Sequence, residues 1–181
     1  MERLNTRVVI PCRLSYAHVW EPNEDGKYST ALIIDPDEKL LEKIETATKN
    51  AMIEGKSKLA NKAGKIPSNI KVPLRNADEE GIEDEAYAGK YFMNASTKQK
   101  PQIVDRRKNG IKDESEVYSG CYCNVSVNFY AFAVEGNKGI ACGLNNIQKV
   151  KDGDRLSGGS SADADFEDLG DDEDDIFGDE E

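Results

Sequence analysis

Histidine is nearly absent from this chain, which has one, His18, among 181 residues. A single histidine cannot form a histidine metal cluster. If it served in a triad of the Ser-His-Asp kind, no second imidazole would remain for another role. Long apolar runs are absent too, and the first residues contain no apolar stretch of the kind that opens a secretory signal. These features favour a non-enzymatic protein of the cytoplasm, without membrane contact and without a cofactor.

The four cysteines do not form a recognisable metal motif. Cys121 and Cys123 lack the two-residue spacing of a zinc knuckle, and Cys12 and Cys142 lie far away in sequence. We therefore expect reduced, buried thiols and no structural zinc. Gly55-Lys56-Ser57 matches the end of a phosphate-binding loop, but Asn50 stands where the loop needs its first glycine, so the match is by chance.

Acidic charge is concentrated at the C-terminal end of the sequence. The net charge is −11, yet 12 of the 35 acidic residues and no basic residue follow Leu156. Residues 1–156 thus hold 24 basic and 23 acidic residues, a net charge of +1. The pattern predicts a nearly neutral domain over 1–156 and an acidic tail over 157–181.

The predicted tail begins with a flexible linker, Ser157–Ser161. Asp163–Glu181 has too few apolar residues to offset the entropy of ordering, so disorder is predicted there. Ile176 and Phe177 stand out against this acidic background and are the candidate partner-binding residues.

One helix is predicted after residue 35. Asp35 is the expected N-cap, with Pro36 at the first helical position, and Gly55 is the expected C-terminal stop. Between them, apolar residues recur at the spacing of one helical face: Leu40, Ile44, Ala47 and Ala51.

The rest of the domain is predicted to be strands and loops. The shorter strands are Arg7–Ile10, Tyr28–Ile34 and Lys90–Ser96. In the long stretch Cys121–Val134 every odd position is apolar, which indicates a strand with one buried face. Gly136–Gly139 is the expected turn into a partner strand, Ile140–Val150.

The even positions of Cys121–Val134 differ from an ordinary solvated strand face, because rings alternate with amides and a hydroxyl. Aromatic rings can stack on the bases of single-stranded nucleic acid while amides bind base edges or phosphates. The alternative is that the rings pack under the helix or a second sheet. The residues are Tyr122, Asn124, Ser126, Asn128, Tyr130 and Phe132.

Cations near predicted aromatic strands complete this pattern. Lys98 and Lys100 follow the strand that contains Tyr91 and Phe92, and three adjacent cations stand at residues 106–108. Three neighbouring cations repel one another unless an anion binds them, so a phosphate backbone is a fitting partner. The lysines of residues 56–65 are better explained as solvated.

Six segments, in order along the chain, carry a resemblance to a known family: Arg13–Pro22, Lys27–Ser29, Val72–Asn76, Gly89–Ser96, Val117–Tyr122 and Gly136–Asn145. The last two are the most specific. As an ordered set they resemble the phage-encoded single-stranded DNA-binding proteins of OB-fold type, a group long described as a domain of unknown function.

The resemblance implies a mainly β, OB-fold-like, five-stranded antiparallel barrel with one inserted helix and long loops. It implies sequence-independent binding of single-stranded DNA during phage replication or recombination, in the cytoplasm of a bacterial host. The candidate DNA-binding residues are Trp20, Tyr28, Arg75, Tyr91, Phe92, Lys98, Lys100, Arg106, Arg107, Lys108, Tyr122, Tyr130 and Phe132.

The tail is similar in style to those of replication single-strand binders, which end in acidic residues with a nearly terminal aromatic. Asp174–Phe177 matches that style, although Gly178–Glu181 follows it. The similarity implies phage or host partners such as a polymerase or a helicase/primase, and a homodimer is left open.

Two other functions compete with this one. The chain could be an acidic interaction protein, either a DNA mimic or an assembly chaperone, that acts through its tail. It could also be a nuclease or another replication enzyme with a cryptic metal site. The cations and aromatic faces of residues 1–156 favour DNA binding over the first, and the missing carboxylate-histidine set disfavours the second.

Overall fold

The structure, a computed structural model, describes residues 4–156 and Leu169. The predicted linker and tail, with Ile176 and Phe177, otherwise lie outside the described residues. Within those residues no helix is both long enough and apolar enough to cross a membrane. The elements are β1 Arg7–His18, β2 Tyr28–Ile34, α1 Glu38–Glu54, α2 Lys56–Leu59, β3 Arg75–Asn76, β4 Tyr91–Thr97, β5 Gln102–Val104, β6 Tyr122–Val134 and β7 Asn137–Lys151.

Five of the strands close into a barrel in the order β4-β2-β1-β6-β7. Neighbouring strands pair antiparallel around this order, and a parallel contact between Ser96 of β4 and Gly143 of β7 closes it. The short strands β3 and β5 extend the sheet beyond β4 and β7. The predicted mainly β, five-stranded barrel is confirmed, with two helices, α1 and α2, instead of one.

A row of paired residues runs once around the barrel. The row leaves β1 at Arg7 and comes back to β1 at His18, which is 18 − 7 = 11 residues further along. This displacement reflects the strand stagger that closing a small barrel requires. Its members are all polar or small, and we call them the polar row: Arg7, Asn128, Gly143, Ser96, Ser29 and His18.

Strand β6 has the alternation that its sequence predicts. The odd side chains from Cys123 to Ala131 are buried in the barrel, and Phe129 is the largest fully buried side chain. The even side chains point outward and are half-buried or exposed. Ala133 departs from the pattern and is exposed, because β6 there runs beyond the core.

Helix α1 begins two residues later than the sequence predicts. The N-cap is Asp37, whose carboxylate accepts hydrogen bonds from the backbone N–H groups of Lys39 and Leu40 at 2.9 and 3.1 Å. Asp37 therefore satisfies two of the free amides of the first turn, which Asp35 was expected to do. The predicted inner face and the C-terminal stop at Gly55 are confirmed, with Ile44, Ala47 and Ala51 buried and Leu40 half-buried.

The turn between β6 and β7 is tighter than predicted. Val134 pairs with Asn137, so the loop has two residues, Glu135 and Gly136, with φ of +49° and +87°. Positive φ at both positions is typical of the type I′ turn that suits the twist of a hairpin. Strand β7 consequently begins at Asn137, inside the stretch expected to form the turn.

We predict that Phe129→Ala lowers the free energy of unfolding by about 3–5 kcal/mol, because the ring is 1% exposed and its loss leaves a cavity in the barrel. Urea denaturation measures this change. Val134→Ala, at a residue 60% exposed on the same strand, is the control and should have little effect. A similar loss in both variants would contradict the assigned core.

Candidate nucleic-acid interface

The outward face of β6 is a ladder of polar side chains between two tyrosines. Asn124 donates from Nδ2 to Oε1 of Gln148 on β7 at 3.1 Å, and Asn128 accepts from the Thr6 hydroxyl at 2.9 Å. Tyr122 and Tyr130 lie at the two ends, eight residues apart, which corresponds to roughly 26 Å along a strand. The face therefore combines aromatic platforms with amides that can reach base edges.

At one end of this face, Tyr130 lies beside the seam where β4 meets β7. The ring is 46% exposed and lies over Gly143, where a Cβ atom would come within 3.4 Å of it. A cleft of about 300 Å³ opens at this point, and exposed Lys27 and Lys98 line it. We call it the seam cleft.

An unpaired amide also lies at the seam cleft. Asn145 is the extra residue where the β6–β7 register shifts, since Ser126 pairs with Asn146 and Val127 pairs with Leu144. Its Nδ2 atom is buried and has no hydrogen-bond partner among the described residues. An unsatisfied buried donor is uncommon in a folded protein.

At the other end of the face, two cations lie near the Tyr122 ring. The Arg13 guanidinium is 5.4 Å and the Lys151 ammonium 4.8 Å from the centroid of its ring. Arg13 is held in place by donating to the carbonyl oxygens of Gly120 and Asp154, at 3.0 and 2.8 Å. The position of the guanidinium is thus fixed before any ligand arrives.

A second tyrosine, Tyr118, has a similar environment. Lys149 and Arg155 lie 5.8 and 4.7 Å from its ring centroid. Lys149 also donates to Asp152 at 2.6 Å, and this hydrogen bond holds the pKa of the Asp152 carboxyl below its usual value. Four of the cations near this end of β6 therefore contact an aromatic ring.

The fold brings the predicted cationic cluster to the same face. Strand β5 pairs parallel with β7 at Gln148, and the turn that follows β5 contains Arg106, Arg107 and Lys108. Arg106 donates to the Val150 carbonyl at 3.1 Å. The Asp105 carboxylate accepts from backbone N–H groups of the turn, which holds the pKa of Asp105 below its usual value. Arg106 consequently borders the Tyr122 end, and exposed Arg107 and Lys108 follow it in the same turn.

Trp20 and Lys100 lie away from the β6 ladder, whereas Tyr28 directly follows Lys27 of the seam cleft. Trp20 is half-buried, donates from Nε1 to the Val117 carbonyl at 3.0 Å, and has Lys100 5.6 Å from its ring. Tyr28 pairs with Thr97, next to Lys98. These residues lie near the loop that joins β1 to β2.

Three other candidates are engaged in packing or in an ion pair. Tyr91 lines a groove beside α1, and Phe92 packs edge-on against Tyr87 with centroids 5.6 Å apart. Arg75 lies 3.6 Å from the Glu80 carboxylate. The structure does not bring these three to the Tyr122–Tyr130 ladder. Phe132 is half-buried opposite Gly139 and continues the outward face of β6 two residues beyond Tyr130.

The sequence matches, over residues 6–177, the family described as "Enterobacter phage Enc34, ssDNA-binding protein". The chain belongs to this family. A similar protein is "Putative protein p50" of Acyrthosiphon pisum secondary endosymbiont phage 1. The two are 32% identical over 171 residues, and the alignment covers 87% of this chain and 90% of the relative.

Two solved structures show that members of the Enc34 family and a further phage protein share this fold. The single-stranded DNA-binding protein of bacteriophage Enc34, in a complex with ssDNA, matches with a TM-score of 0.66 and 20% identity, over 83% of this chain and 88% of that one. The gp2.5 single-stranded DNA-binding protein of bacteriophage T7 matches with a TM-score of 0.60 and 14% identity, over 90% and 98%.

Several residues of this Enc34-family chain were not identified from its sequence. Arg13, Lys151 and the group around Tyr118 become neighbours only through the β1–β6–β7 register. Tyr16 is also new: it is 62% exposed and has a φ of +49°, which is rare for a large side chain and is found where a strand bulges.

The four thiols are buried and free. Burial raises the pKa of Cys12, and it raises the pKa of Cys142 to about 12, so both stay protonated at neutral pH. The expectation of no structural zinc stays a prediction.

Proposed function

We propose that this protein binds single-stranded DNA without sequence preference, with bases stacked along the outward face of β6, and that it has no catalytic activity. The observation that best supports this is the ladder of amides and a hydroxyl between Tyr122 and Tyr130. Base-aromatic stacking tolerates any sequence, because every base has a π face. Membership of the Enc34 family and the shared fold support the same ligand.

The cations at both ends of the ladder suit a phosphate backbone. Arg13, Lys151 and the turn at Arg106 border the Tyr122 end, while Lys27 and Lys98 border the Tyr130 end. Phosphate contacts supply most of the affinity in sequence-independent binding and make it dependent on salt. We place this activity in phage replication or recombination in the cytoplasm of the bacterial host, and a homodimer stays a prediction.

The acidic tail has a regulatory place in this proposal. The Leu156 amide donates to the Ser119 carbonyl at 3.0 Å, so the described chain reaches the neighbourhood of the Arg13–Tyr122 group at Leu156. The 12 acidic residues of 157–181 are therefore tethered near the cations at an effective concentration on the order of millimolar. We infer that the tail occupies these cations without DNA, and that DNA frees Ile176 and Phe177 for a polymerase or helicase/primase.

We predict that Tyr130→Leu weakens binding to oligo-dT by about 1–3 kcal/mol, because it removes a stacking ring from an exposed position. Fluorescence anisotropy measures the dissociation constant. Tyr130→Phe is the matched control and should keep the affinity, since it keeps the ring. Unchanged binding by folded Tyr130→Leu protein would place the bases elsewhere.

We predict that the double change Arg106→Ala with Arg107→Ala makes the affinity less steeply dependent on salt, by about 0.7 in the logarithmic slope for each lost phosphate contact. Titrations from low to moderate salt give the slope. Lys62→Ala with Lys65→Ala removes two exposed cations from another loop and should leave the slope as it was. Equal salt slopes in the two double variants would argue that Arg106 and Arg107 do not contact the phosphates of the bound strand.

We predict that deleting residues 157–181 tightens single-strand binding, most at low salt, because an intramolecular competitor is removed where screening is weakest. The truncated chain should also lose binding to a replication partner. Equal DNA affinity of the full and truncated chains at low salt would instead support a tail that only keeps the protein soluble.

A further inference from the structure

The seam cleft is the first of three adjoining cavities. It shares Asn128 and Tyr130 with a second cavity of about 680 Å³ beside Gly55, which in turn shares Asn5 and Arg7 with a third of about 640 Å³. The third cavity lies between α1 and the start of β1, and we call it the helix groove. A continuous depression thus leads from Tyr130 along the polar row to Arg7 and then along α1.

Cations outnumber carboxylates along this depression. Glu42 and Glu54 are its two acidic residues. None of its cations forms an ion pair with a carboxylate within residues 4–156. The cations, in order, are Lys27, Lys98, Lys58, Arg7, Lys39 and Lys43.

The two lysines of the helix groove leave it positively charged. Lys39 and Lys43 are four residues apart on α1, and both face a groove whose opposite wall contains Arg7. Like charges at this helical spacing repel, and Glu42, three residues after Lys39, offsets one of them. The positive charge that remains in the groove suits an anionic ligand.

The uncharged groups of the groove favour nucleotides over an acidic peptide as its ligand. Val9 is an outward strand residue, 61% exposed, that gives an apolar surface to the floor. Asn5, Asn50 and Thr46 add amides and a hydroxyl, and Asn50 donates to the Asn5 carbonyl at 2.8 Å. Bases need apolar contact and polar partners together, as on the β6 face.

We propose that the helix groove is a second binding site for single-stranded nucleic acid, which takes the strand as it leaves the β6 face at Arg7. Lys39 and Lys43 bind its phosphates, and the floor at Val9 contacts its bases. This site rests on the proposed function, because the strand must first occupy the β6 face. The bound strand is then longer than the barrel face alone accommodates.

The test compares a short and a long oligo-dT, roughly 8 and 16 nucleotides, since OB folds cover about 4–16 nucleotides. Lys39→Gln with Lys43→Gln should weaken binding of the long strand several-fold and lower its salt slope by about 1.4, at about 0.7 per contact. Binding of the short strand should not change. Lys49→Gln with Lys62→Gln is the control, because Lys49 pairs with Glu45 outside the groove, and it should affect neither strand.

A cross-link provides a readout that does not depend on affinity. Thr46 is exposed in the groove and the native thiols are buried, so Thr46→Cys carries a photoreactive group at one defined place. The long strand should cross-link there and the short strand should not.

Each contrary outcome has a distinct meaning. Equal effects of the groove variant on both strands, or none on either, overturn the helix groove while leaving the β6 face in place. If the groove variant binds the long strand more tightly than the unmodified protein does, the groove is not a nucleic-acid site. That result identifies it instead as a site for the acidic tail. Failure of the unmodified protein to bind either strand overturns the proposed function and the groove together.

Discussion

Burial of one face of β6 is the constraint on which the rest of the molecule depends. Cys123, Val125, Val127 and Phe129 fill the barrel, and the period of two in a strand then forces their even neighbours outward. A slip of one residue in register would exchange the two faces, which the apolar core prevents. The polar ladder and its two terminal tyrosines are therefore fixed by the same packing that stabilises the fold.

Barrel closure gives this ladder its surroundings. The contact between Ser96 and Gly143 joins β4 to β7, and the small residues there leave room for the Tyr130 ring and the seam cleft. At the other end, the parallel pairing of β5 with β7 brings the Arg106 turn toward Tyr122. A nearly neutral domain thereby acquires a face rich in cations without a large net charge.

The elements that sequence reasoning predicted were those with local patterns. The alternation of β6, the Tyr28–Ile34 strand and the inner face of α1 depend on neighbours in sequence, and all three are present. The N-cap was misplaced because Asp35 and Asp37 are both capable caps, and only backbone geometry distinguishes them. The turn shifted because Glu135 takes a positive φ that its side chain does not suggest.

The site was harder to predict because it is assembled from distant strands. The aromatic residues of β6 form a pattern that is visible in the sequence. The partners of Tyr122, however, come from β1 and β7 and depend on strand register. Tyr91 and Phe92 had the same composition as a binding strand, yet Tyr91 packs against the core and Phe92 packs against Tyr87. Local sequence shows that a ring is present and does not show what packs on it.

The central claim is that single-stranded DNA lies along the outward face of β6, and amide chemical-shift mapping tests it most directly. Titration with oligo-dT should shift the amides of β6 from Tyr122 to Tyr130 and those of the paired residues on β1 and β7. The amides around Ile82, in the loop between β3 and β4, should stay in place. Shifts confined to that loop, with β6 unchanged, would contradict the account.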